Sequence, residues 1–147
     1  MSYDDLLKSK QIYRQTPSRE SVEKALRRSE RDLNTARALI CQDSDWGFAI
    51  AYNAILQACR AYMFANGFRP SNNESHKNTF AFMRLALSEQ YRDLVDYFDM
   101  IRNKRHQAIY EVAGLISQTE AQNLLTKAEE FVATIRKEIS KIQRLDI

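Results

Sequence analysis

Between Val22 and Ile40 the apolar side chains Val22, Leu26, Leu33, Ala36 and Ile40 recur at intervals of three, four and seven. That spacing lines one face of a helix. Glu23, Arg27, Glu30 and Arg31 place opposite charges three or four positions apart, an arrangement that supports a helix and suits a solvated face. A helix is therefore predicted from about Ser18 to about Gln42. Thr16-Pro17-Ser18 opens it with a capping hydroxyl and a proline near the first turn.

The next segment has a different pattern. Asp43 or Ser44 can cap a new helix, predicted over about 45 to 66. Phe48, Ile50, Tyr52, Ile55, Leu56, Cys59, Tyr62 and Met63 cover most of its circumference, and a helix apolar nearly all round is a central one. Ala49, Ala51, Ala54, Ala58 and Ala61 let neighbours approach closely, and no Asp or Glu occurs from Trp46 to Asn73. Asn66-Gly67 supplies the stop.

A polar loop, FRPSNNES, precedes a helix from Ser75 to about Leu87. Ser88 then caps a long helix from Glu89 to about Glu111, with Tyr91, Leu94, Val95, Phe98 and Ile101 as its apolar stripe. Gly114 ends that region. Ser117 to Glu120 reads SQTE, a capping box, and opens a last helix carrying Leu124, Ala128, Phe131, Ile135, Ile139 and Ile142. Residues 3 to 14 predict a short, loosely packed N-terminal helix. No alternating strand pattern stands out. The expected fold is all-α: an antiparallel helical bundle of four long helices plus one or two short ones, in a single domain over residues 1–147.

Composition agrees. The 147 residues are 44% hydrophobic and 28% charged, with only three glycines and two prolines. Such a chain can bury a core without staples. Its net charge of +3 is too mild for a general nucleic-acid binder, though a local patch can still hold phosphate. Cys41 and Cys59 lack metal-ligand spacing and read as reduced, buried thiols. The N-terminus has acids and no long apolar run, and no segment reaches the roughly 18 to 20 apolar residues of a membrane span. A cytoplasmic protein without a membrane partner is expected.

The sequence has no Gly-rich phosphate loop, HExxH, paired CxxC or Gly-x-Ser-x-Gly elbow. Two histidines are few for a zinc site, and no metal or cofactor is expected. What remains is IRNKRHQAIYE, residues 101 to 111. At about 100° per residue, Arg102, His106 and Tyr110 form a ladder on one helix face, with Arg105 about 60° from Arg102. Two readings fit. Lys104, Arg105 and His106 suit the negative end of a helix dipole. They also suit phosphate chemistry: Arg grips phosphate by two hydrogen bonds, His passes protons near neutral pH, and Tyr110 can donate a hydrogen bond or stack on a base. Asp99 lies three residues before Arg102 and can orient it. His76 opens a helix after a polar loop, and a surface or loop-packing role is expected. Trp46 and Arg69 read as packing and loop residues.

The helix FAIAYNAILQACRAYMFANGFRP, the following His76 and the late motif RNKRHQAIY together resemble a HEPN domain over roughly residues 18 to 140. That family is all-helical and common in prokaryotic toxin–antitoxin and defence systems. Its members often carry an Arg, then a polar residue, then a His a little over one turn later. Arg105-His106 matches the start, and Tyr110 stands where the later His would fall. Read from Arg102-Asn103, the later position is Gln107, with His106 one residue early. The resemblance implies a protein that binds or cleaves RNA through Arg105, His106, Arg102 and Tyr110, as a metal-independent toxin-type endoribonuclease. The alternative it leaves open is a non-catalytic bundle that binds RNA or nucleotide, or pairs with an antitoxin or a nucleotidyltransferase-like partner. A homodimer with the two motifs facing each other is also implied.

Overall fold

Residues 1–142 are described by the computed structural model. Their order is α1 (Tyr3–Lys8), β1 (Ile12–Arg14), α2 (Arg19–Leu39), α3 (Ser44–Ala65), β2 (Phe68–Pro70), α4 (Ser75–Ala86), a 3-10 turn (Glu89–Tyr91), α5 (Arg92–Tyr110) and α6 (Gln118–Ser140). The expected all-α bundle is present. Helix starts follow local chemistry. Ser18, Asp43 and Ser117 each accept a hydrogen bond from a backbone N–H three residues on, which satisfies donors that a helix leaves free.

α3 is the central element and packs against α2, α4, α5 and α6. Ala51, Ala54, Ala58, Ala61 and Ala65 are all fully buried, and their small side chains bring the neighbouring helices close. Gly47 shows how close: a Cβ there would lie 2.9 Å from the Cα of Ile40. Further along the pair, the Ser29 hydroxyl donates to the Ala54 carbonyl at 2.8 Å. One number falls as the other rises, so α2 and α3 run antiparallel. The ion pairs Arg37–Glu129 at 3.3 Å and Arg136–Glu30 at 3.0 Å place α6 antiparallel to α2 by the same logic. Phe98 of α5 meets Phe131 of α6 edge-on, with centroids 5.0 Å apart. Burial of an aromatic ring of this kind contributes about 1.5–3 kcal/mol.

The structure departs from the expected pattern in several places. The predicted helix over 3 to 14 stops at Lys8. The chain turns through Lys10, at φ 61, into β1, which pairs antiparallel with β2, Tyr13 opposite Arg69. Strands of three residues are too short to show alternation, so the pattern could not report them. Nor is this segment loosely packed: Leu6 and Ile12 are fully buried, and Tyr3 stacks on Phe68 at 5.6 Å. The helix predicted from Glu89 begins as a 3-10 turn. Glu74, in left-handed conformation, precedes α4 where Ser75 was expected to cap it. Cys59 is buried but Cys41 is exposed, since it lies in the α2–α3 turn. Trp46 is 50% exposed, so only half of its surface is packed against the fold. Among the described residues no helix is long and apolar enough to cross a membrane.

Candidate functional site

The late turns of α5 and the first turn of α4 lie side by side. Arg102, Arg105 and His106 line a cavity of about 280 Å³ together with Ser75 and His76. The antiparallel course of α4 and α5 makes this possible. Arg84, near the end of α4, donates to Asp96 at 2.6 Å and to Asp99 at 2.8 Å near the start of α5, which fixes the register that brings residues 75 and 76 level with residues 102 to 106.

Each cation of the basic cluster has a different setting. Arg102 donates from Nε to Asp99 at 3.2 Å, the orienting contact expected from the spacing. Lys104 pairs with Glu120 of α6 at 2.5 Å and does not line the cavity. Arg105 forms no ion pair among the described residues. Its guanidinium carbon lies 5.7 Å from the ring centre of Tyr52, and its Nε is buried with no hydrogen-bond partner. A buried donor left in that state costs about 1–3 kcal/mol; Nε itself is closed to a ligand, although Arg105 lines the cavity.

His76 is the residue that the sequence did not assign to the site. It is half-buried, and its Nδ1 lies 3.0 Å from the hydroxyl of Tyr52. Burial lowers its pKa, and Arg60, Arg105 and Arg102 lower it further, to about 4. The imidazole is therefore neutral at pH 7. Tyr52 is fully buried, and burial raises its pKa, so it remains a phenol. His76 is the only hydrogen-bond partner of that hydroxyl among the described residues, and a buried O–H needs an acceptor. Tyr52 accordingly donates to Nδ1, and the ring hydrogen of His76 sits on Nε2. The result is a neutral donor fixed by a buried phenol.

Tyr110 stays outside. Its ring packs on that of His106 at 4.8 Å, yet it is 67% exposed and lines a neighbouring hollow with Trp46 and Val112. The ladder read from the sequence thus divides: Arg102 and His106 line the cavity, and Tyr110 flanks His106. Sequence reasoning also passed over Tyr52 and Arg60. A clue existed for Arg60, a cation within a helix otherwise apolar nearly all round. None existed for Tyr52, which looks like any core aromatic.

In chemical terms the cavity offers two guanidiniums, the Lys77 ammonium, a neutral imidazole donor, an exposed imidazole and the Asn103 amide, with Glu74 as the one carboxylate among the described residues of its lining. That is a setting for an anion with hydrogen-bond acceptors, such as phosphate. A search among curated proteins finds no match. The HEPN domain model matches residues 22–139, from the first turn of α2 to the last of α6, and the chain belongs to the HEPN domain family.

Proposed function

We propose that this protein binds single-stranded RNA at the cavity between α4 and α5 and cleaves it there without a metal ion, in a cytoplasmic setting. The observation that carries this reading is Arg105, a half-buried residue that lines the cavity with no carboxylate partner among the described residues. A phosphodiester supplies the negative charge this group lacks. His106 takes the proton from a ribose 2′-hydroxyl, whose oxygen attacks the adjacent phosphorus. Arg102 and Arg105 neutralise the oxyanion that develops, and His76 donates to a phosphate oxygen. The P–O5′ bond breaks, the leaving oxygen takes a proton from water, and His106 returns its proton to solvent. The products are a 2′,3′-cyclic phosphate and a 5′-hydroxyl.

The test uses purified protein and RNA in the presence of a chelator. Cleavage with those termini is expected. Arg105→Ala and His106→Ala should each abolish it while the helical circular dichroism spectrum stays unchanged. Cleavage that survives both substitutions rejects the assigned site.

A second reading, a non-catalytic bundle that pairs with an antitoxin, a nucleotidyltransferase-like protein or a second copy, draws on a different observation. Trp46, Tyr110 and Val112 are exposed apolar residues lining one hollow beside the cavity, a composition that suits a protein interface. A stoichiometric partner on co-purification, with no RNA cutting by the isolated protein or the complex, favours it. The proposed homodimer is tested by sedimentation of the wild type against Trp46→Ser.

A further inference from the structure

A second basic cleft lies on the other side of Ser75. It occupies about 390 Å³ between α2, α3 and β2, and its lining holds four cations, Lys24, Arg28, Arg60 and Arg69, with no carboxylate among the described residues. The helical spacing is orderly. Ser21, Lys24 and Arg28 follow one another on one face of α2, while Gln57 and Arg60 form the facing row on α3. The wall contributed by α3 and β2 falls within the acid-free run from Trp46 to Asn73.

The cleft thus gathers four cations in one lining without an acid among the described residues. Elsewhere Arg27, Arg37, Arg84, Lys104 and Arg136 each pair with a carboxylate. In the cleft, Lys24 and Arg28 are like charges four apart on one helix, an unfavourable spacing. Four acids flank them along α2: Glu23 pairs with Arg27 and Glu30 with Arg136, while Glu20 and Asp32, four before Lys24 and four after Arg28, form no ion pair with either among the described residues. The Asp32 carboxylate feels the charge of Arg28 but meets Arg31, at 3.4 Å. Arg60 is half-buried, and among the described residues its side chain donates one hydrogen bond, to the Ser75 hydroxyl at 3.4 Å. Burial lowers its pKa, and the neighbouring charge of Arg28 acts in the same direction. A salt-bridged scaffold would have placed an acid here. Amide and hydroxyl groups from Ser21, Gln57 and Ser75 complete a lining suited to an anion with several oxygens.

Ser75 also lines the Arg105/His106 cavity, so the two meet at its side chain. We propose that the cleft between α2, α3 and β2 is a second phosphate-binding site, which holds a flanking phosphate of the strand whose scissile phosphate sits by Arg105. The assignment of phosphate rests on the cleft itself, and its use by an RNA strand rests on the function proposed above.

Two probes separate these claims. Inorganic pyrophosphate, followed by amide NMR shifts in the full chain, should perturb Ser21, Gln57 and Ser75 saturably. The pair Lys24→Gln with Arg28→Gln should weaken that binding roughly tenfold or more, and Arg102→Ala should leave it in place. Absence of saturable shifts at the cleft, or equal affinity in the double variant, overturns the phosphate site whatever RNA does elsewhere. The second probe is a single-stranded oligonucleotide with methylated 2′-hydroxyls. The double variant should reduce the salt dependence of its binding, lowering the log–log slope by about 0.7 for each phosphate the cleft no longer holds. An unchanged slope, with pyrophosphate or ATP still bound at the cleft of the wild type, overturns the flanking-strand role and assigns the site to a free nucleotide. If the wild type binds no oligonucleotide at all, the RNA function falls and the flanking-strand role with it, while the pyrophosphate result still decides the cleft.

Discussion

Acidification should destabilise the fold through His76 in particular. The ring titrates at about 4 in the native protein against an ordinary value of 6.5, because burial and three arginines disfavour the imidazolium. As pH falls between those values the unfolded chain takes up a proton that the native chain refuses. Stability from this group is therefore intact above about pH 6.5 and declines as pH drops towards 4. A shift of this size, taken without screening, corresponds to about 2 kcal/mol at pH 5. The ring is only partly buried, so solvent screening reduces the expected loss to about 1 kcal/mol. Urea unfolding followed by circular dichroism at pH 7 and pH 5 measures it. His76→Gln keeps an acceptor for the Tyr52 hydroxyl and removes the titration, so its stability should fall by about 1 kcal/mol less than that of the wild type over the same interval. Parallel pH profiles for the two proteins would refute the reasoning, as would an NMR titration that places His76 near its ordinary value.

Three other substitutions test separate parts of the structure. Gly47→Ala adds a methyl 2.9 Å from the Ile40 backbone; overpacking of about 1–3 kcal/mol outweighs the gain in helix propensity of at most about 1 kcal/mol, and a net stabilisation in urea would contradict the close α2–α3 approach. Asp45→Ala removes the acceptor for the Gly114 and Ile116 amides, at 2.7 and 3.0 Å; a loss of about 1–2 kcal/mol and faster hydrogen exchange at those two amides are expected, and unchanged exchange would disprove the tether. Lys104→Gln should alter RNA binding by no more than about twofold, because its ammonium pairs with Glu120 of α6 and a partly exposed pair contributes little; a tenfold loss would place Lys104 in the site.

The long elements were legible because burial writes a period into them. The stripe Val22, Leu26, Leu33, Ala36 and Ile40 is buried along α2 and its C-terminal cap as the spacing predicts, and α3, apolar nearly all round, is central. What escaped the sequence depends on contacts remote along the chain. β1 and β2 have three residues each, and the whole of α2 and α3 lies between them. No local pattern marks the pairing of Tyr13 with Arg69. The site divides in the same way. The spacing within α5 put Arg102, Arg105 and His106 close together, and the cavity holds all three. His76 joins them only because the Arg84 ion pairs fix the register of α4 against α5. Tyr110 shares the helix face of His106, but α5 ends there and leaves the ring in solvent.

In the proposed function, Arg105 is the guanidinium that meets the phosphodiester. The most direct measurement is fluorescence anisotropy of a labelled single-stranded RNA with methylated 2′-hydroxyls, which can bind but cannot be cut. It is titrated with wild-type protein and with Arg105→Ala in the presence of a chelator. Saturable binding by the wild type and a loss of roughly tenfold or more in the variant, with unchanged helical content, is the predicted result. Equal affinity of the two proteins, or no binding by the wild type, would contradict it.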